Sequence, residues 1–257
     1  MYKYKLYTCL FGLLLLASCK RDVEMPNDII EKTSSTVSIK LNNMFDSLNL
    51  QLDSVSYVLD NGEKIKINTY KYYLSNIKLI ASDSSVYEEL NSYHLINESS
   101  ALSKSFTLSN VPFNNYTSIQ FMIGVDSLHN VSGSQSGDLS PNYGMFWTWN
   151  TGYIQTKLEG YSQQSGASDK SVAFHIGGFK GINNALKTVK PSFNGAIAIV
   201  SKTSQPVINI NCNVKEWFIN PSSISFSSVY SVSSVNATSK LLADNYADMF
   251  TIKSIQN

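Results

Sequence analysis

Short runs in which apolar and polar residues alternate, each closed by Gly, Asn, Ser or Pro, recur along almost the whole of this chain, and that pattern demands β-structure. Val37, Ile39 and Leu41 share one face of such a run. Ile65, Ile67 and Thr69 share one face of another, just after an Asn61-Gly62 turn. Further extended runs cover residues 72–80, 105–108, 116–125, 144–159, 171–176, 195–201 and 207–214. Because strand side chains point alternately to opposite faces, each run can give one face to a core and the other to solvent. Their number and spacing predict an all-β chain, an antiparallel β-sandwich, rather than strand–helix–strand units. One or two short helices accompany it. Residues 214–219 form one, stopped by Pro221; residues 239–250 form the other, with Leu242, Tyr246, Met249 and Phe250 at helical spacing. No fixed repeat period is present, which disfavours a propeller or solenoid.

The amino terminus fixes where the domain works. Lys3 and Lys5 precede an almost unbroken apolar run from Leu6 to Leu16, closed by Leu16-Ala17-Ser18-Cys19. This run is shorter than the ~20 apolar residues a membrane span needs. Small residues before a processing point mark a secretory signal, and a cysteine at the first mature position makes it a lipoprotein signal. The expected organisation is a signal peptide over 1–18, a flexible tether over 19–34 that begins with lipidated Cys19, and one sandwich domain over 35–257. Two or more acyl chains hold a protein stably on a bilayer. The expected location is therefore the outer membrane, lipid-anchored, facing the periplasm or the cell surface.

Removing residues 1–18 takes away two lysines, so the net charge falls from +1 to −1. A nearly neutral domain without a basic stripe has no electrostatic footprint for nucleic acid. Cys9 leaves with the signal and Cys19 carries lipid, so Cys212 has no disulfide partner within the chain. It lies in the alternating run 207–214, where a buried, inert thiol is expected.

The longest loop, Asp126–Tyr143, runs into the most unusual motif of the chain: Gly144-Met145-Phe146-Trp147-Thr148-Trp149-Asn150-Thr151-Gly152-Tyr153. A loop this long in a compact domain is usually functional or disordered. On a strand, Met145, Trp147 and Trp149 would share one face, which is also the pattern of an ordinary core stripe. The three histidines, His94, His129 and His175, are isolated, and no two have ligand spacing within one element. Hydrolase motifs, paired Cys-x-x-Cys sites and phosphate-cradling glycine loops are all absent from the sequence.

Several of these blocks together carry a resemblance. Gly124-Val125-Asp126-Ser127, the tryptophan motif 145–153, Leu158-Glu159-Gly160 and Phe174-His175-Ile176-Gly177-Gly178 resemble the MbnP-like family. Ser75-Asn76 and Asn245-Tyr246-Ala247-Asp248-Met249-Phe250 fit its lipoprotein branch. The resemblance implies a β-sandwich that binds copper outside the cytoplasm. It also implies that a tryptophan is oxidised to kynurenine by a di-haem, MauG-type peroxidase-like partner. Trp147 and Trp149 match the tryptophan motif and His175 the His-x-Gly motif; His94 and Met145 stand as reserve ligands. The long loop departs from the pattern: copper-binding members carry a histidine just after an asparagine, whereas here the order is Leu128-His129-Asn130.

These readings lead to a lipid-anchored copper-binding protein with no catalytic turnover, its site completed by oxidation of Trp147 or Trp149 to kynurenine. The competing reading is a binding module that presents an aromatic platform to glycan or protein. Exposure separates the two, since a platform needs exposed rings and a copper site needs a buried ring near a histidine. A hydrolase would require a carboxylate pair or triad, which cannot be picked out among the scattered Asp and Glu residues.

Overall fold

The computed structural model describes residues 33–147 and 152–257. The signal segment 1–18, Cys19, most of the tether and Trp149 lie outside the described residues. Two sheets face each other across a shared apolar core. In the smaller sheet β1 (Ser34–Phe45) pairs with β4 (Ser105–Pro112) and with the short strand Leu48–Asn49. On its other edge it pairs with β8 (Val207–Asn213), which in turn pairs with β9 (Phe250–Gln256). The larger sheet is built around β2 (Lys64–Ala81), flanked by β3 (Tyr93–Asn97), β5 (Asn114–Ile123) and β6 (Thr156–Tyr161), with β7 (Ser171–Ile176) beyond β6. Pairing among these longer strands of the large sheet is antiparallel, as expected. In the small sheet β1 and β8 run parallel, and most strands of the large sheet lie between them in the chain.

The strand β2 explains why its sequence reads as two runs. It carries register shifts against β6 at Asn68 and against β5 between Ser75 and Lys78, where Asn76 has φ 51°. Each extra residue flips the alternation. Ile65 and Ile67 therefore point inward, then Tyr70, Tyr72 and Leu74, then Ile77 and Leu79, all of them in the core. Gly160 sits opposite the first shift, where a Cβ would lie 2.3 Å from the Lys66 carbonyl oxygen; only glycine lets the strands close there.

Tyrosines bridge the two layers. The Tyr72 hydroxyl donates to Asn43 Oδ1 of β1 at 2.8 Å, and the Tyr70 hydroxyl lies 3.3 Å from Cys212 Sγ of β8. Phe250 of β9 meets Tyr72 and Phe121 of the large sheet at centroid distances of 5.7 and 5.0 Å. Such rings bury large apolar areas, and these buried hydroxyls keep polar partners. Cys212 is buried with Ile208 and Ile210, because the irregularity in this part of the sheet falls on β9, where Lys253 is the extra residue.

Some elements differ from the sequence reading. Residues 144–159 are not one strand: Phe146–Trp147 pairs with Gly152–Tyr153 as a minimal ladder before β6 begins. Residues 214–218 form a 3₁₀ turn rather than an α-helix. The last helix, α2 (Ala237–Tyr246), ends four residues earlier than its periodicity suggests, and Phe250 opens β9 instead. The loop after Val125 contains a short helix, α1 (Ser127–Val131), followed by two 3₁₀ turns, Gly137–Leu139 and Pro141–Tyr143.

Candidate functional site

The second bulge-bounded stretch of β2 decides where the site lies. With Tyr72 and Leu74 turned into the core, Tyr73 and Ser75 must leave on the outer face, yet both are fully buried. Their cover is formed by residues 125–147 and 152–154. Gly124 N–H donates to the Tyr73 carbonyl at 2.9 Å, and the Ser75 hydroxyl donates to the Gly124 carbonyl at 2.7 Å. Asn130 then fastens the segment to itself: its Oδ1 accepts from Tyr153 N–H at 2.8 Å, and its Nδ2 donates to the carbonyls of Val125 and Asp126. Lys71 Nζ donates to the Tyr143 carbonyl at 2.9 Å and holds down the approach to the tryptophan motif. The long loop is thus an ordered cover with its own core of Tyr73, Leu95, Val125, Leu139, Met145, Trp147, Tyr153 and Ile154.

Trp147 is 6% exposed and Met145 fully buried in this outer cluster. The indole lies directly on Gly177: a Cβ there would be 2.2 Å from Trp147 Cζ3 and 2.5 Å from Cη2. Gly177 follows β7 two residues after His175, so strand alternation puts His175 on the same outer face. The tryptophan and His-x-Gly motifs are therefore neighbours. His175 Nε2 is 2.6 Å from Glu159 Oε1, and Glu159 Oε1 is 3.3 Å from Lys157 Nζ. Burial pushes the His175 imidazole below its ordinary value; Glu159 pulls the other way and Lys157 adds to the fall. Burial works against the Glu159 carboxylate too, but the hydrogen bond from His175 and the Lys157 charge outweigh it and keep its pKa low. The two partners thus shift in the same direction: the pair favours a neutral imidazole beside an ionised carboxylate.

His94 is not part of this site. It pairs with Leu74, on the inner face, while its neighbours Tyr93 and Leu95 point outward. Its ring stacks on Phe106 at 3.6 Å and its Nε2 is 2.9 Å from Glu89 Oε2. As a reserve ligand beside Trp147 it is ruled out by the sheet between them. His129 sits on α1 and meets Tyr93 and Asp126, away from β7. Trp149 is outside the described residues. Among those described, no three His, Cys, Asp or Glu side chains gather around one point where a metal ion could sit.

Sequence reasoning found the two motifs but missed what joins them. Gly177 had a signal, as the residue inside His-x-Gly that must be small, but nothing in the sequence says which ring it receives. Asn130 and Tyr73 had none, since an asparagine in a loop and a tyrosine in a strand look ordinary.

Comparison with known proteins agrees with this architecture. The chain is similar to a solved structure, MbnP from Methylosinus trichosporium, with a TM-score of 0.53 over 86% of this chain and 98% of that one. The two sequences are 11% identical, so the likeness is one of fold. No curated protein sequence matches significantly. The model of the MbnP family matches residues 34–237, most of the chain, and this protein therefore belongs to the MbnP family.

Proposed function

We propose that this is an exported, lipid-anchored copper-binding protein without catalytic turnover, whose site lies on the outer face of the large sheet between Trp147 and His175. The observation that carries the reading is the indole of Trp147 lying on Gly177 of the His-x-Gly motif, in a chain of the MbnP family. The lipid anchor rests on Leu16-Ala17-Ser18-Cys19, and placement at the outer membrane, on its periplasmic or outer side, follows from that signal.

Donor chemistry limits how copper could be held. His175 offers one imidazole nitrogen, and Glu159 offers an oxygen already bonded to it. An intact indole has an N–H donor and no lone pair in the ring plane, so Trp147 as encoded adds nothing. The described side chains by themselves do not fit a tight copper site. Opening of a tryptophan ring to kynurenine would add an aromatic amine and a ketone, and Met145 a thioether of the kind that favours Cu(I). The reading therefore requires that modification, on Trp147 or Trp149, and an oxidising partner of the di-haem peroxidase-like class to make it.

The aromatic-platform reading needs exposed rings, and Trp147 is buried. The test is metal analysis of protein purified from its native host, with peptide mapping for the mass of kynurenine. Near-stoichiometric copper, a modified tryptophan, and loss of copper in His175→Ala are expected. Protein that carries neither copper nor kynurenine overturns the reading. Cys19→Ser should move the protein from the membrane fraction to the soluble one; a variant that still takes up acyl label removes the anchor.

A further inference from the structure

The tyrosines around Trp147 do not hold their hydroxyl protons alike. Tyr73 and Tyr153 donate to backbone carbonyls, those of Asp138 at 3.0 Å and Leu139 at 2.9 Å, which cannot take a proton away. Tyr93, half-buried at the start of β3 and packed on the same cluster, instead meets Asp126 Oδ2 and His129 Nδ1. The Tyr93 and His129 rings are 4.5 Å apart, and His129 Nδ1 is also 3.1 Å from Asp126 Oδ1. Tyr93 and His129 line a surface recess together with Asn91, Gln135 and Ser136. A phenol that loses an electron becomes a strong acid, so its oxidation is easy only where a base within hydrogen-bond reach accepts the proton. Tyr93 has such a base and opens to the surface.

We infer that Tyr93 is a redox-active tyrosine, with Asp126 as its proton acceptor and His129 in contact with both, that passes oxidising equivalents from a one-electron oxidant outside the protein to buried Trp147. In the first step the oxidant takes one electron from Tyr93. The phenolic O–H bond breaks and its proton moves to the Asp126 carboxylate, leaving a neutral phenoxyl radical. In the second step Trp147 gives one electron to that radical, the held proton returns to the Tyr93 oxygen, and the indole is left as a radical cation. Tyr93 packs against the same cluster that holds Trp147, which also contains the aromatic rings of Tyr73 and Tyr153 at a centroid distance of 5.9 Å. A macromolecular oxidant has little access to Trp147 itself, which is 6% exposed. The ground state suits the first step. Burial, then Asp126, keeps the Tyr93 phenol protonated, while hydrogen bonds from Tyr93 and His129 outweigh burial and keep Asp126 ionised. The choice of Trp147 as destination rests on the ring opening proposed above; the oxidation of Tyr93 does not.

Flash photolysis tests the first step. Full-length protein in detergent, mixed with photogenerated ruthenium(III) tris-bipyridine and frozen after the flash, should show a tyrosyl radical by electron paramagnetic resonance. Tyr93→Phe should lose the signal and Asp126→Asn should reduce it, in proteins whose circular dichroism and melting match the wild type. Tyr161→Phe removes a ring that is 53% exposed and should leave the signal unchanged. A signal that survives in Tyr93→Phe, or an undiminished one in Asp126→Asn, overturns the assignment. Peptide mapping of natively produced protein tests the second step. Equal kynurenine in wild type and Tyr93→Phe overturns transfer to Trp147 and leaves the copper reading standing. Absence of kynurenine from the wild type removes that reading, and with it the proposed destination, while the flash experiment still decides on Tyr93.

Discussion

Gly177 has no room for a side chain, because the Trp147 ring occupies the place where a Cβ would be. Gly177→Ala should push the indole off its seat and cost ~1–3 kcal/mol, the usual range for overpacking. Urea unfolding would show the loss, and a red shift in tryptophan emission would show that the ring had moved. An unchanged midpoint would mean the cover yields easily. His175 sets a different limit. Its imidazole resists protonation in the folded state, whereas in the unfolded chain it titrates near the ordinary 6.5. Its contribution is therefore complete above that value and is lost as pH falls below it, because the unfolded chain binds the proton first. Glu159, held below its ordinary 4.5, adds a second loss at lower pH as its folded value is approached. His175→Gln should flatten the first part of the acid limb, as read from unfolding midpoints at several pH values between 7.5 and 5. At this scale the sequence singled out the tryptophan and His-x-Gly motifs, and the structure seats the Trp147 ring on Gly177. It also offered His94, because a histidine one residue from an outward tyrosine gives no sign of which face it takes.

Local rules account for the elements that were legible. The helix α2 starts at a reciprocal cap: Asn236 Oδ1 accepts from Ser239 N–H at 2.9 Å, and Ser239 Oγ accepts from Asn236 N–H at 3.0 Å. Asn236→Ala should cost ~1 kcal/mol of stability, with faster hydrogen exchange concentrated in residues 237–246. Equal exchange across that helix would mean that packing of Leu242 and Tyr246, not the cap, holds its first turn. The regular runs of β1, β7 and β8 were readable because one face of each is core and no residue interrupts the alternation. Continuity of β2 was not readable, since two register shifts reverse its parity and mimic a break. The cover formed by residues 125–147 and 152–154 was hidden for another reason. Its order comes from contacts with Tyr73, Leu95 and Lys71, which are distant in the sequence and carry no local signature.

At the scale of the molecule, the inner core closes over Cys212, which sits between Tyr70 and Tyr72 of the facing sheet. Burial pushes its thiol up to about 12. Since the thiolate is the reactive form, iodoacetamide should label Cys212 only in urea, and peptide mapping of native and unfolded protein would show it. Rapid labelling of the native chain would mean that the two sheets part far more readily than this packing implies. The inner core and the outer tryptophan cluster lie back to back on β2, with Tyr72 turned to one and Tyr73 to the other. Because they share a strand but almost no side chains, the two can drift apart in evolution. Descendants of this chain are free to rewrite the outer module while inheriting an unaltered sandwich.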